Sequence, residues 1–469
     1  MKHRSLHVFM LLQLLTIAGC KKFVEVEPPR YQQTTNNVFK NNVTANSALI
    51  TIYAQMISES ASGYHIALYT GLASDELAQP PDNYALEMYI NAVNPNRNIY
   101  SSSFWEAAYR YIYQANMAYE NCDKATILDP AVKKQLMAEA LFIRAYWHFY
   151  LLNIFGDIPL VTSSDYTKNM VLPRAPAAKV YEQIVTDLKK AQADLSISYV
   201  GADCITPTDE RVRPNQAAAT AFLARVYLYM EKYKEAEDQA TAVINLAGAY
   251  ALVEPGQVFL KNNKEAIWQL MAPKENFSCI NTPEGKNFII TELDGLNKQS
   301  DISMQLYHAF EDGDLRKTFW VGLYQKYHFP FKYKVKLDSI LSEYSVVFRL
   351  AEQYLIRAEC RAQLGKLMEA ISDVDMIRKR AGLPLLADTH AATDKTDLLN
   401  AVLKERQIEL FAEQGHRWFD LKRTKTVDAT MRVVTPLKGG IWKTEMQVWP
   451  LPYTELMKNP NLKQNPGYN

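Results

Sequence analysis

Apolar residues recur every three to four positions along most of this chain, the repeat of helices that bury one face. In residues 135–153, QLMAEALFIRAYWHFYLLN, one face carries Ala140, Ile143, Trp147 and Leu151. A second face carries Leu141, Ala145, His148 and Leu152, so this helix is apolar nearly all round and belongs at the centre of the fold. Gly156 and Pro159 stop it. Residues 176–195 predict an amphipathic helix whose stripe is Val180, Ile184, Leu188 and Ala191.

Two later segments resemble each other: residues 223–244, LARVYLYMEKYKEAEDQATAVI, and residues 357–378, RAECRAQLGKLMEAISDVDMIR. Placing Ala224 on Ala358 also places Tyr233 on Leu367, Ala236 on Ala370, Ala240 on Val374 and Val243 on Ile377. Small residues let paired helices approach and larger ones fill the groove between them, as in tetratricopeptide repeats. Two such units cannot bury their faces alone, so further degenerate pairs are expected, residues 106–128 with 135–155 among them. The fold class predicted is all-α, built of tetratricopeptide-like helix pairs with long irregular loop insertions. Residues 58–103 and 249–338, rich in Tyr, Asn, Pro, Gly and Asp, read as those long loops and short strands. Insertions on a helical scaffold are where a binding function is expected.

Composition narrows the class of partner. The formal net charge is +1 over 469 residues, with no basic stripe to neutralise phosphates, which excludes nucleic acid. A basic start (Lys2, Arg4) and an apolar run from Leu6 to Ala18 end at Gly19-Cys20. The run of about a dozen residues is too short to span a bilayer but fits a secretory signal. Small residues before a cysteine are what a lipoprotein signal peptidase requires, so residues 1–19 are expected to be a signal peptide and Cys20 the lipidated first residue. Several acyl chains, each methylene worth roughly 0.8 kcal/mol on burial, anchor where one could not. The remaining cysteines, Cys122, Cys204, Cys279 and Cys360, are far apart without a C-x-x-C, so no zinc site is predicted and no disulfide framework is encoded. Cys360 reads as a small core hydrophobe.

The most charged segment, residues 405–423, ERQIELFAEQGHRWFDLKR, sets Glu405, Glu409 and Glu413 one turn apart. A glycoside hydrolase could use Glu409 and Glu413 as acid and base, but carboxylates on one helix face point the same way instead of flanking a substrate. A paired Arg–Glu–Asp network fixing helix ends and the Gly415 turn is the favoured reading. No H-E-x-x-H, G-x-S-x-G, Walker loop or dinucleotide fingerprint occurs, and no cofactor or catalytic residue is implied. Residues 310–316, FEDGDLR, lack the ligand spacing of a calcium loop and read as a turn leading into a helix.

Aromatics of the loop regions are the better functional candidates. Tyr64, Tyr69, Tyr84, Tyr89 and Tyr100 crowd the first region; Trp320 and Tyr324, with Tyr327, follow the acidic turn of the second. A sugar ring lays its C–H face on a phenol or indole, while its hydroxyls need polar side chains such as Asp75, Asp82, Asn83, Asn91 and Arg97. Trp105, Tyr109, Ile112 and Tyr113 follow a helix stripe and read as core.

At these residues a family likeness enters. Beyond Cys20 come 23–29 (FVEVEPP) with 38–39, then 138–145 (AEALFIRA) and 155–160 (FGDIPL). Pro173-Arg174, 181–184 (YEQI) and 221–228 (AFLARVYL) continue it. The second half adds 349–359 (RLAEQYLIRAE), 377–382 (IRKRAG), 415–423 (GHRWFDLKR), 449–452 (WPLP), 459–462 (NPNL) and 464–468 (QNPGY). In these segments the chain resembles the SusD/RagB family, surface nutrient-binding lipoproteins of Bacteroidota. The resemblance implies four tetratricopeptide-like pairs plus loops, divided as 20–235 and 236–469. It also implies lipid anchoring at the outer membrane with exposure at the cell surface, and a SusC-type TonB-dependent barrel as partner. Members capture oligosaccharides, or peptides in some branches, and deliver them without catalysis. The resemblance carries over no ligand residue; only the lipid site at Cys20 transfers.

Overall fold

The computed structural model describes residues 38–58, 60–273, 281–291, 300–389 and 394–468. The expected signal peptide, Cys20, residues 23–29 and Cys279 lie outside the described residues.

Among these, eight helices follow one another in chain order, each packed on the next: Ile99–Lys124, Pro130–Phe155, Ala177–Asp194, Gln216–Tyr229, Tyr233–Ile244, Leu350–Gln363, Leu367–Arg380 and Lys395–Glu409. The two repeated segments are the tetratricopeptide-like pairs Gln216–Tyr229 with Tyr233–Ile244 and Leu350–Gln363 with Leu367–Arg380, each joined by a tight turn. The central position expected for residues 135–153 follows from their all-round apolarity: nearly every residue of Pro130–Phe155 is buried. Asp129 caps that helix by accepting from the Ala131 N–H, and Pro130 fills the first position, where no donor is needed. Gly156, at φ +74°, ends it.

The internal likeness extends to the backbone of the turns. Met230, Glu231 and Lys232 repeat the hydrogen bonds of Leu364, Gly365 and Lys366, position for position: each third residue donates to the carbonyl five before it, Tyr227 or Arg361. Glu231 sits at φ 57° where its counterpart Gly365 sits at 79°. An L side chain in the left-handed region costs about 1 kcal/mol, which glycine avoids. Glu231→Gly is therefore expected to raise stability by about 0.5–1 kcal/mol, read as a higher urea midpoint; an unchanged or lower midpoint would mean the turn is not strained.

Buried ion pairs staple neighbouring helices. Arg144 Nε donates to Asp187 at 2.7 Å, and Arg225 grips Glu352 at 2.6 and 2.7 Å across the two halves of the stack. Arg423 reaches Glu359 at 2.7 Å. Cys122, Cys204 and Cys360 are buried and unpaired. No helix among the described residues is long and apolar enough to cross a membrane.

Around the stack run short irregular elements. Ala266–Leu270 pairs antiparallel with Ser345–Arg349 in a ribbon buried throughout. Val321–Tyr324 and Tyr327–Pro330 form a hairpin, and Leu77–Ala78 pairs with Asp301–Ile302. The expectation of long loops holds for most of 249–338 but not for 58–103. There the chain forms the helices Gly63–Ala73 and Asn83–Tyr89 and the start of Ile99–Lys124. Gly63–Ala73 is buried on every side from Ile66 onwards, so its sequence, GYHIALYTGLA, shows no polar face to mark a helix. The acidic turn resolves as expected: Asp314 caps Leu315–Trp320 by accepting from the Arg316 N–H.

Candidate functional site

Tyr64, Tyr69, Tyr84 and Tyr100 meet in one aromatic cluster. Tyr100 stacks on Tyr69 with ring centroids 4.9 Å apart, and Tyr84 meets Tyr100 edge-on at 5.8 Å. Tyr64 packs edge-on against Phe288 at 5.0 Å. Asp82 organises the exposed side of this cluster. Its carboxylate caps Asn83–Tyr89 by accepting from the N–H groups of Tyr84 at 2.8 Å and Ala85 at 2.9 Å. It also accepts from the Tyr100 hydroxyl, so one side chain fixes both the helix carrying Tyr84 and the ring of Tyr100. Burial and the Asp82 carboxylate both raise the Tyr100 phenol, which stays a neutral donor. Arg97 stands at the rim with its side chain 70% exposed, its Nε donating to Glu87 at 2.8 Å. Glu87 also accepts from the Asn94 N–H and from Asn98 Nδ2, knitting the loop together. Tyr64, Tyr84 and Tyr100 are half-buried, each leaving part of its ring to solvent.

Other expected contacts are corrected by burial. Tyr69 is 1% exposed; it is the floor beneath Tyr100, against Trp449, and has no face to offer. Trp320 is wholly buried, donating from its indole to Pro255 O at 2.8 Å beneath the Lys332 ammonium. Asp75 is buried in a two-bond pair with Arg417 at 2.8 and 2.7 Å and has no oxygen to spare for a sugar. The Arg417 bonds outweigh burial and hold Asp75 below the usual carboxylate range. Asn91 is buried as well, bridging Ala73 and Thr435. Tyr89 and Tyr324 lie apart from the cluster. Tyr89 sits under the Lys438 ammonium, and Tyr324 packs with Tyr327 and Phe331 against Ile289, Ile290 and Phe329. Beside Tyr89, burial pushes Asp301 up to about 6. Neither Asp301 nor Lys438 carried a local sequence signal, since their setting depends on strands and turns far apart in the chain.

The charged helix is structural, as favoured. Glu409 faces Arg316, Arg349 and Arg380, and Glu413 faces Arg349 and Lys332. Both are buried and are held ionised by these cations against the desolvation that would raise them. A carboxyl fixed in its charged form cannot donate the proton a glycosidic acid must supply. Among the described residues no group of three or more His, Cys, Asp or Glu could hold a metal ion.

Residues 297–468 match the family model described as the SusD family, and residues 22–228 match one described as starch-binding associating with outer membrane. The chain belongs to the SusD/RagB family. SusD-like protein P38 of Formosa agariphila is 25% identical over 100% of this chain and 99% of its own. A SusD superfamily structure from Bacteroides vulgatus superposes with a TM-score of 0.79 at 21% identity, covering 92% of this chain and 99% of that one. A laminarin-binding SusD-like protein superposes at 0.71 and 21% identity, covering 93% and 100%. These likenesses show the fold, tetratricopeptide-like pairs with insertions. The SusD/RagB motif residues themselves lie at the staples and at one clamp. Asn465 donates to Phe155 O at 2.8 Å and Trp449 O at 2.7 Å, while Arg174 reaches Asp157 O and Lys463 O. Four separated motif segments thus meet at one point, and Trp449 carries that point up to Tyr69, the floor of the Asp82 cluster.

Proposed function

We propose that this protein is a non-catalytic glycan-binding member of its family, working at the outer membrane. The half-exposed tyrosines fixed by Asp82 carry the reading. Phenol faces held in place by a carboxylate suit the C–H faces of sugar rings, and Arg97 and Asp82 offer bonding at the rim to hydroxyls. The family description names starch binding and outer-membrane association, and one structural neighbour is a laminarin-binding protein, which supports a glucan-like ligand. Cys20 would carry the lipid anchor, and a SusC-type barrel would receive the captured oligosaccharide. Shallow platforms give modest affinity per sugar, so retention would come from closure over that barrel.

The test is calorimetric titration with starch- and laminarin-derived oligosaccharides. The pair Tyr84→Ala and Tyr100→Ala is expected to weaken binding about tenfold or more, since each lost stacking contact is worth roughly 0.5–1.5 kcal/mol. Unchanged affinity in that pair would remove the cluster from consideration, and binding of oligopeptides alone would replace the sugar by a peptide.

A further inference from the structure

A second aromatic cleft, of about 570 Å³, lies between the Ile99–Lys124 helix and the short helices Tyr166–Asn169 and Tyr453–Lys458. It falls in the size range of ligand sites. Its floor is Trp105 and Tyr109, whose rings touch at 4.8 Å and whose phenol donates to Pro159 O at 2.8 Å. The floor is core, as the helix stripe suggests. The walls are not: Tyr113 is 41% and Tyr166 72% exposed, although both are large and largely apolar. Folding leaves these two rings uncovered at the mouth of a cavity, where a ligand can cover them. The rim supplies polar groups of three kinds. Lys458 Nζ lies 2.7 Å from Glu455 Oε1, and both side chains keep exposure, 66% and 23%. Asn169 and Asn459 border the same cleft.

We infer that this cleft is a second carbohydrate-binding site. A purely apolar ligand would strip water from the exposed Lys458–Glu455 pair and put no hydrogen-bonding group in its place. A charged ligand would find one cation already matched by one anion. A neutral polyhydroxylated ring satisfies both parts, its C–H face on Tyr113 or Tyr166 and its hydroxyls on the rim. Tyr100 and Tyr113 share one helix, about 20 Å apart along its axis at 1.5 Å per residue. Their angular positions differ, so the cleft opens on another side of that helix and is a separate site, not an extension of the first. The inference rests on the glycan reading for its ligand class but uses none of the same side chains.

Calorimetry of the intact protein with starch- and laminarin-derived oligosaccharides tests it through stoichiometry. Two molecules are expected per chain, falling to one in the pair Tyr113→Ala and Tyr166→Ala, whose exposed side chains can be removed without opening the core. The pair Tyr84→Ala and Tyr100→Ala should likewise leave one, held in the cleft. A soluble long glucan that reaches both sites should bind about tenfold more weakly to either pair than to the wild type. A stoichiometry of one that the cleft pair does not alter overturns the second site and leaves the first intact. Loss of all binding in the cleft pair alone overturns the Asp82 cluster instead. Indifference of both pairs overturns both.

Discussion

Arg349→Met is expected to destabilise the protein by about 3–5 kcal/mol, a large part of the total stability of most domains. Arg349 is 2% exposed and serves three carboxylates at once. Its Nη1 donates to Glu265 at 2.9 Å and to Glu409, its Nε and Nη2 to Glu413 at 2.8 Å each, and Nη2 also to the Glu409 carbonyl at 2.7 Å. Arg316 on Glu409, Lys332 on Glu413 and Arg380 on Glu265 complete the cluster of cations around the same acids. Replacing a whole buried network by apolar groups can be neutral, but removing one partner leaves charges in low dielectric without compensation. Met matches the length of the stem and isolates the loss of the guanidinium. Arg349→Lys should recover only part of the loss, because one ammonium cannot reach Glu409 and both oxygens of Glu413 in the guanidinium's planar geometry. Urea unfolding of the three proteins at neutral pH measures this. A midpoint for Arg349→Met within a few tenths of a molar of the wild type would show that the carboxylates find other cations or take up protons.

That network explains why the scaffold was readable in the sequence and the site was not. Pro130–Phe155 and Ala177–Asp194 announce themselves by local period, and the two turns at Glu231 and Gly365 repeat because the same backbone is built twice. The charged motif residues could be read as a network because so many fall in one helix and its neighbours. Ligand contacts have no such local mark. Tyr69 and Tyr100 are the same residue type in the same stretch, and only their stacking decides which is floor and which is surface. Asp75 looked available until Arg417, on a helix near the other end of the chain, claimed it. Gly63–Ala73 was hidden for the opposite reason: complete burial erases the polar face that periodicity needs. The stripe of Trp105, Tyr109, Ile112 and Tyr113 shows the limit from the other side. Trp105 and Ile112 are core as the spacing says, yet the same spacing carries Tyr113 out of the core to the wall of a cleft.

Glu76→Gln is expected to gain stability relative to the wild type steadily between about pH 4.5 and 8. Glu76 is 2% exposed, and its Oε1 has no hydrogen-bond partner among the described residues. Burial and the neighbouring Asp75 carboxylate push it up to about 8, against the opposing pull of Arg417 and Lys332. The folded protein therefore keeps a proton that the unfolded chain releases once the pH passes the ordinary carboxylate value. Fewer protons bound in the unfolded state means that stability falls as pH rises, by roughly 1.4 kcal/mol per unit across that window. Glutamine has the shape of the protonated acid and no proton to lose, so the variant lacks this slope. Glu284, pushed up to about 7 by burial, adds a slope of the same sign in both proteins and cancels from the difference. Lys422 and Lys438, lowered by burial to about 7, act oppositely above that pH and cancel in the same way. Denaturant unfolding of both proteins at pH 5, 6, 7 and 8 gives the difference directly, and a difference that stays flat across the series would mean Glu76 is ionised in the folded state. The residue's position gives the slope a functional reach. The Glu76 carbonyl accepts from the Ser303 N–H at 2.8 Å, beside the pairing of Leu77–Ala78 with Asp301–Ile302 that ties the first loop region to the second. Ionising Glu76 places a second buried charge beside Asp75 at the start of that pairing, and if the Asp82 cluster binds glycan as proposed, affinity should weaken in the wild type, but not in Glu76→Gln, as the pH passes 8.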